Sequence, residues 1–250
     1  MIHSVLVAAS LLGFAGHDME YTVNGVTMEG YVSLPAGNSK APIVMIVHDW
    51  NGIDAYEKGR ADQIAALGYI GFAADIYGKG VRPKNAQESG AESRKYYQDH
   101  ALLLERLNGA SAAIRKNPRA DGKNRAAMGY CFGGMAVLEF MRSGADYQAV
   151  GSFHGALATQ NPVKKGAFKG EVAIYHGADD PLVPQKDIDA VKAELNSAGI
   201  DYDFVAYKGA VHSFTVPGPA RVGNGATGYD EAADKGSWNS WKKMLAAVFK

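Results

Sequence analysis

Gly129-Tyr130-Cys131-Phe132-Gly133-Gly134 is the stretch on which the reading of this chain turns. It follows a short apolar run, Ala126-Ala127-Met128, and precedes a helix-like run from Met135 to Met141. That pattern is a strand, a sharp turn and a helix. Glycines around the turn leave room for strained backbone and for close contact between helix and strand. A side chain at its tip stands above the sheet edge, and a thiol there sits at a helix N-terminus, which favours the nucleophilic thiolate. The plainer alternative is a small buried core residue, since free cysteines are among the most buried residue types. The choice between the two rests on residues further along.

The chain has 250 residues, enough for one sizeable core and short for two, which predicts one α/β domain over residues 20–250. Twenty-six Lys and Arg balance 26 Asp and Glu. Nucleic-acid and anionic-membrane partners call for a basic excess, so neither is expected, and a small molecule is the expected ligand. With one cysteine there is no intrachain disulfide, and the core must supply the stability. Residues 1–19 read as a signal peptide or a flexible N-terminal segment. Val5 to Phe14 has the size of a signal-peptide apolar run and Gly13-Phe14-Ala15 that of a cleavage site, but Met1-Ile2-His3-Ser4 lacks the usual basic residue. A cleaved residue 1–15 segment would place the protein in the periplasm or outside the cell, and a retained one in the cytoplasm. The run is too short to span a bilayer.

Working outward from the cysteine, strands and helices alternate. Tyr21-Thr22-Val23 and Val26 to Leu34 flank Asn24-Gly25, a hairpin signal. Ile43 to Val47 is an unbroken apolar run, the pattern of a strand buried on both faces. Tyr56 to Leu67, closed by Gly68, predicts a helix with Ile64 and Leu67 on one face; Tyr69 to Ala74 predicts the next strand. Glu92 to Lys116 reads as one long helical stretch with a break at Gly109. Strands follow at Ala149 to His154, Val172 to Tyr175 and Phe204 to Tyr207, with a helix from Gln185 to Ala198 and a last one carrying Trp241. This order predicts a mainly parallel central sheet with helices on both faces and no large lid domain. Ligands of such sheets bind at the carboxyl ends of the strands, where His48, Asp75, Cys131, His154, Asp179, Asp180 and His212 fall.

Asp179-Asp180-Pro181 follows one late strand and His212 follows the last. Nucleophile, acid, histidine is the order of α/β-hydrolases. A histidine beside Cys131 would move its proton, and a carboxylate on the far ring nitrogen would fix the tautomer. Of the two aspartates, Asp180 is favoured because Pro181 and Val183-Pro184 suit a tight turn behind it. The oxyanion formed on attack calls for two backbone N–H donors, for which position nominates Phe132 and Trp50.

The chain resembles the dienelactone hydrolase family of α/β-hydrolases. The resemblance rests on the Cys131 stretch, His176-Gly177-Ala178-Asp179-Asp180 and Ala210-Val211-His212-Ser213-Phe214, supported by Val47-His48-Asp49-Trp50-Asn51-Gly52 and Ala74-Asp75-Ile76-Tyr77-Gly78-Lys79-Gly80, and runs from about Glu20 to the C-terminus. It implies an α/β-hydrolase fold, a Cys131-His212-Asp180 triad working through an acyl thioester, and no cofactor or metal; a monomer or small homo-oligomer is a separate expectation. The family also pairs the resting thiol with a carboxylate, usually glutamate. Asp49 holds that place here, one methylene shorter. Members that open dienelactones bind the substrate carboxylate with arginines; Lys79 and Val216 stand at those two places. A lysine lacks the bidentate fork. The expectation is therefore a small ester or lactone, with dienelactone itself a poorer candidate. Lys79, Tyr77 and His154 are the substrate-binding candidates, Trp50 and Tyr77 as apolar walls. His48 and His154 lack the short ligand spacing of a zinc site. Two other readings compete: a redox-reactive thiol, which would need neither His212 nor Asp180, and a non-catalytic ligand-binding protein on a hydrolase scaffold.

Overall fold

The computed structural model describes residues 16–218 and 225–250. The signal-peptide reading of residues 1–15 lies outside them. Fourteen elements follow in order: β1 (His17–Val23), β2 (Val26–Ser33), β3 (Ala41–Val47), α1 (Ala55–Ala66), β4 (Ile70–Ala74), α2 (Ala86–Gln98), α3 (His100–Ile114), β5 (Ala120–Tyr130), α4 (Phe132–Arg142), β6 (Ala149–Phe153), β7 (Glu171–Gly177), α5 (Gln185–Ala198), β8 (Tyr202–Tyr207) and α6 (Glu231–Val248). The strands form one sheet in the order β1-β2-β4-β3-β5-β6-β7-β8, and every pairing from β4 to β8 is parallel. The β1–β2 hairpin, turned at Asn24-Gly25, joins antiparallel to the β4 edge.

Alternation along the central strands explains why both faces carry helices. In β3, Ile43, Met45 and Val47 join a core with Leu103, Leu107, Val137, Phe140, Val191 and Leu195 of α3, α4 and α5. Val44 and Ile46 face the other way, toward Ile64 of α1 and Trp241, Met244 and Leu245 of α6. A strand sandwiched in this manner has no polar side, hence the unbroken apolar run. The largest insertion between consecutive strands is the α2–α3 pair, and among the described residues no lid domain interrupts the order.

Two local expectations are corrected. Leu67 caps α1 and is 38% exposed instead of sharing the buried face of Ile64. The long helical stretch breaks at Asp99, not at Gly109: Asp99 ends α2 and its side chain accepts the Leu102 N–H to start α3. Its carboxylate satisfies an N–H that the new helix would otherwise leave without a partner. Gly109 lies inside α3 because β1 crosses close by; a Cβ there would come within 2.3 Å of Val23.

Candidate active site

Cys131 sits between the end of β5 and the start of α4 with φ 53° and ψ −111°. L-residues rarely adopt this conformation, which costs on the order of 1–3 kcal/mol and persists where its surroundings overdetermine it. Here the Cys131 N–H donates to Phe153 O (3.0 Å), and its carbonyl accepts from Met135 N–H (3.2 Å). The flanking glycines allow the turn to close. A Cβ on Gly129 would lie 2.1 Å from Gly133 O, and one on Gly133 2.1 Å from Val47 O.

The turn after β7 and the loop after β8 bring two side chains to the thiol. His212 Nε2 lies 3.0 Å from Cys131 Sγ, and His212 Nδ1 lies 2.8 Å from Asp180 Oδ2. Asp180 Oδ1 accepts the Leu182 N–H, so the Asp-Pro turn aims the other oxygen inward. Asp180 is buried, whereas Asp179 is exposed. His212 is held from both sides of its loop: its N–H donates to Ala226 O, and its carbonyl accepts from Gly228 N–H. Burial works against a charged imidazole. Cys131 and the Asp180 carboxylate outweigh it and hold His212 protonated up to about 10.

The loop after β3 passes beside α4. Asp49 N–H and Asp54 N–H donate to the two oxygens of buried Glu57, Asn51 N–H donates to Asp49 Oδ1, and Gly52 N–H donates to Asp49 O. These bonds fix the loop while leaving the Trp50 N–H out. Phe132 opens α4, where the first N–H groups have no intrahelical acceptor. Burial, with the negative charges of Asp49 and Asp54, raises the Glu57 carboxyl well above its usual range. His48 clips the strand ends together: Nε2 accepts the Ile76 N–H (3.2 Å), so Nδ1 carries the proton given to Asp49 O (2.6 Å). Its burial also favours the neutral ring.

The candidate substrate-binding residues fare differently. Tyr77 is positioned by donation of its hydroxyl to Trp50 O and packs against Phe132; burial, Asp49 and the Cys131 thiolate together raise its ionisation far above the ordinary value. Lys79 is 45% exposed and forms surface ion pairs. Its ammonium hydrogen-bonds Glu20 and lies 3.8 Å from Glu29, both on the edge hairpin. Nearby Arg82 donates to the carbonyls of Gly78, Val81 and Glu29. His154 is also corrected: it is 1% exposed, with Nδ1 toward the Cys131 N–H and Nε2 toward Thr215 Oγ1, so it lies behind the thiol and not in front of it. Asp75, also at a strand end, caps the turn after β4 by accepting the Tyr77 and Gly78 N–H groups.

A cleft of about 460 Å³ is lined by Tyr96, Tyr97, His100, Met135, Glu139 and the 158–161 loop; Cys131, Asp180 and His212 are not part of its lining. Met135 is one helical turn past Cys131, and the Tyr97 ring stands edge-on to Phe132 at 5.8 Å. Tyr97 is 51% exposed, and the packing around its hydroxyl together with the nearby Cys131 raises its ionisation, which keeps it a neutral donor. No spacing in the sequence singles out Tyr97. Glu57 did have a signal, the Asp54-x-x-Glu57 capping box. Among the described residues no group of three or more His, Cys, Asp or Glu side chains is arranged to hold a metal, and no helix is long and apolar enough to cross a membrane.

Comparison with known proteins shows the family. Residues 28–249 match the model of the dienelactone hydrolase family. A putative carboxymethylenebutenolidase of Methylorubrum extorquens is 25% identical over 219 residues, covering 83% of this chain and 75% of the relative. A probable 2-oxo-3-(5-oxofuran-2-ylidene)propanoate lactonase of a Bradyrhizobium species is 22% identical, with coverage of 76% and 80%. Among solved structures, a dienelactone hydrolase-like promiscuous phosphotriesterase, P91, from metagenomic libraries superposes with a TM-score of 0.88 at 30% identity, covering 94% of this chain and 99% of its own. With its eight-stranded, mostly parallel sheet, the chain belongs to the dienelactone hydrolase family and is a hydrolase of carboxylic esters or lactones.

Proposed function

We propose that this hydrolase cleaves a small, uncharged ester or lactone through a Cys131-His212-Asp180 triad and an acyl-thioester intermediate. The observation that carries the reading is the unbroken line from Cys131 Sγ through both ring nitrogens of His212 to Asp180 Oδ2, at 3.0 and 2.8 Å. The thiolate attacks the carbonyl carbon, and the oxyanion is met by the Phe132 and Trp50 N–H groups. The His212 imidazolium gives its proton to the leaving alkoxide, leaving an acyl thioester on Cys131. Water then attacks the thioester carbonyl while neutral His212 takes a water proton. Collapse of the second tetrahedral intermediate frees the acid and restores the thiolate–imidazolium pair. Asp180 holds the proton on Nδ1 and stabilises the charged ring.

Asp49, expected to pair with the resting thiol, accepts the Asn51 N–H at Oδ1 and takes no part in the proposed thiolate–imidazolium cycle. An uncharged substrate follows from the cations near the site. Lys79 is taken by two carboxylates, and Arg82 by three carbonyls with Asp75 3.7 Å away. Tyr77 serves as a wall, its hydroxyl hydrogen being held by Trp50 O, and Tyr97 as a wall and neutral donor.

The test is hydrolysis of a panel by wild type and Cys131→Ala side by side: a dienelactone, a γ-lactone, short aryl esters and, given the similarity to P91, an aryl phosphotriester. Turnover of neutral esters or lactones that vanishes in the variant is the expected result. Equal turnover by both proteins would remove Cys131 from the mechanism, and a strong preference for the carboxylate-bearing dienelactone would overturn the uncharged-substrate assignment.

A further inference from the structure

A second line of hydrogen bonds runs from α6 to the Cys131 backbone. Asp234 pairs with the buried guanidinium of Arg60. Arg60 Nε and Nη2 donate to Tyr56 Oη (3.3 and 3.2 Å), and Tyr56 donates to Thr215 Oγ1 (2.7 Å). Thr215, fully buried, lies 2.8 Å from His154 Nε2, and His154 Nδ1 faces the Cys131 N–H at 3.2 Å. Five side chains from α1, α6 and the loops after β6 and β8 thus converge on one peptide N–H.

Donor bookkeeping fixes the proton on His154. The Cys131 N–H can only donate, so Nδ1 is the acceptor and carries no hydrogen. A neutral imidazole then has its hydrogen on Nε2, which donates to Thr215 Oγ1. Thr215 cannot donate back, because a ring accepting at both nitrogens would be an anion. Its oxygen instead receives two donors, His154 and Tyr56. Tyr56 in turn remains protonated, since burial raises its ionisation well above the ordinary value.

The position of His154 gives this line a purpose. Its acceptor shares the Cys131 N–H with Phe153 O, adding a second hold on a residue kept at φ 53°. Its ring stands edge-on to His212 at a centroid distance of 5.3 Å and to Phe214 at 5.2 Å, and its own φ of 42° shows that the main chain is bent to bring it there. It therefore touches both partners of the 3.0 Å thiol–imidazole contact without reaching the cleft.

We propose that His154, as its neutral Nε2–H tautomer locked by Thr215 and Tyr56, is a positioning residue for the nucleophile. It holds the Cys131 backbone and the face of His212 in register, with the Arg60–Asp234 pair as the anchor of the line. This rests on Cys131 being the nucleophile, yet part of its test does not involve turnover.

Nitrogen-15 NMR of the histidine side chains reads the tautomer directly, and iodoacetamide alkylation of Cys131 reads thiol reactivity whether or not the ester assay works. Expected for wild type is a His154 ring protonated at Nε2 and bare at Nδ1. Thr215→Val keeps shape but cannot accept; it should lower kcat roughly five- to tenfold with KM unchanged, and slow alkylation in parallel. His154→Asn tolerates positive φ and places an oxygen near the old Nδ1, so it should retain more activity and alkylation than His154→Gln. Unfolding midpoints of all variants show whether the fold is intact, and Tyr56→Phe serves as the second variant if Thr215→Val is unstable. A proton on Nδ1 of His154 would overturn the proposal. So would wild-type alkylation and kcat in folded Thr215→Val and Tyr56→Phe. Failure of Cys131→Ala to abolish turnover would instead strike the catalytic reading, leaving the tautomer assignment standing.

Discussion

Replacing Cys131 with alanine should do more than remove a nucleophile; it should change the charge on His212. In the wild type three influences meet on that ring. Burial disfavours the imidazolium, while the thiolate 3.0 Å away and the carboxylate 2.8 Å away favour it, and the sum holds the proton up to about 10. Two opposite unit charges about 4 Å apart attract by about 4 kcal/mol at an effective dielectric of about 20, equivalent to roughly three pH units. Cys131→Ala deletes this attraction and leaves burial in place, with Asp180 the remaining partner. The His212 midpoint should therefore fall by at least about one pH unit and by as much as about three. The assay is a pH titration of the His212 ring carbon–proton resonances in both proteins, assigned with His212→Gln. A midpoint that stays near 10 in Cys131→Ala would refute the reasoning, since Asp180 alone would then account for the raised value. The same shift has a stability consequence whose sign is fixed by linkage. A ring whose folded value exceeds its unfolded one stabilises the fold fully below the unfolded value near 6.5, and this contribution is lost as pH rises through about 10. Between those limits the wild type should lose denaturant resistance more steeply than His212→Gln does.

Three further outcomes follow from contacts in the structure. Asp180→Asn should lower kcat by orders of magnitude while Asp179→Asn changes it little, because only Asp180 reaches the His212 ring; steady-state kinetics in which Asp179→Asn is the more damaging change would reverse the assignment. Gly133→Ala places a Cβ 2.1 Å from Val47 O, a backbone atom that cannot swing aside, so α4 must move off β3. A lowered thermal midpoint and a slower rate of thiol alkylation are expected, and unchanged values of both would contradict the packing argument. Trp241→Ala removes a fully buried ring between α6 and β6 and should cost about 3–5 kcal/mol in urea unfolding, with the folded variant's KM unaffected.

Much of this site was legible before the fold was known because chemistry at the ends of parallel strands obeys a fixed chain order. Cys131, Asp180 and His212 each follow a strand, and the proline-bearing turn after Asp180 distinguished it from Asp179. The hairpin at Asn24-Gly25 and the two-faced strand at Ile43 to Val47 were equally readable, since turn chemistry and periodicity are local. What escaped depends on distant packing. The helix break fell at Asp99 because a capping carboxylate outweighs a glycine that is needed for contact with β1. Lys79 has the charge of a substrate ligand, but Glu20, 59 residues earlier, takes it. His154 stands at a strand end like the others, yet its positive φ turns the ring backward onto Thr215, 61 residues away. The Tyr56–Thr215 bond spans 159 residues and has no sequence signature.

The central claim is that Cys131 itself becomes acylated during turnover. The most direct measurement is rapid quenching of the enzyme with the best short aryl ester, followed by mass spectrometry of the peptide that contains Cys131. Expected is an acyl adduct on Cys131 that forms within the first turnover and decays on incubation in water, accompanied by a burst of the aryl alcohol. Steady hydrolysis with Cys131 unmodified at every time point, and with turnover preserved in Cys131→Ala, would contradict it.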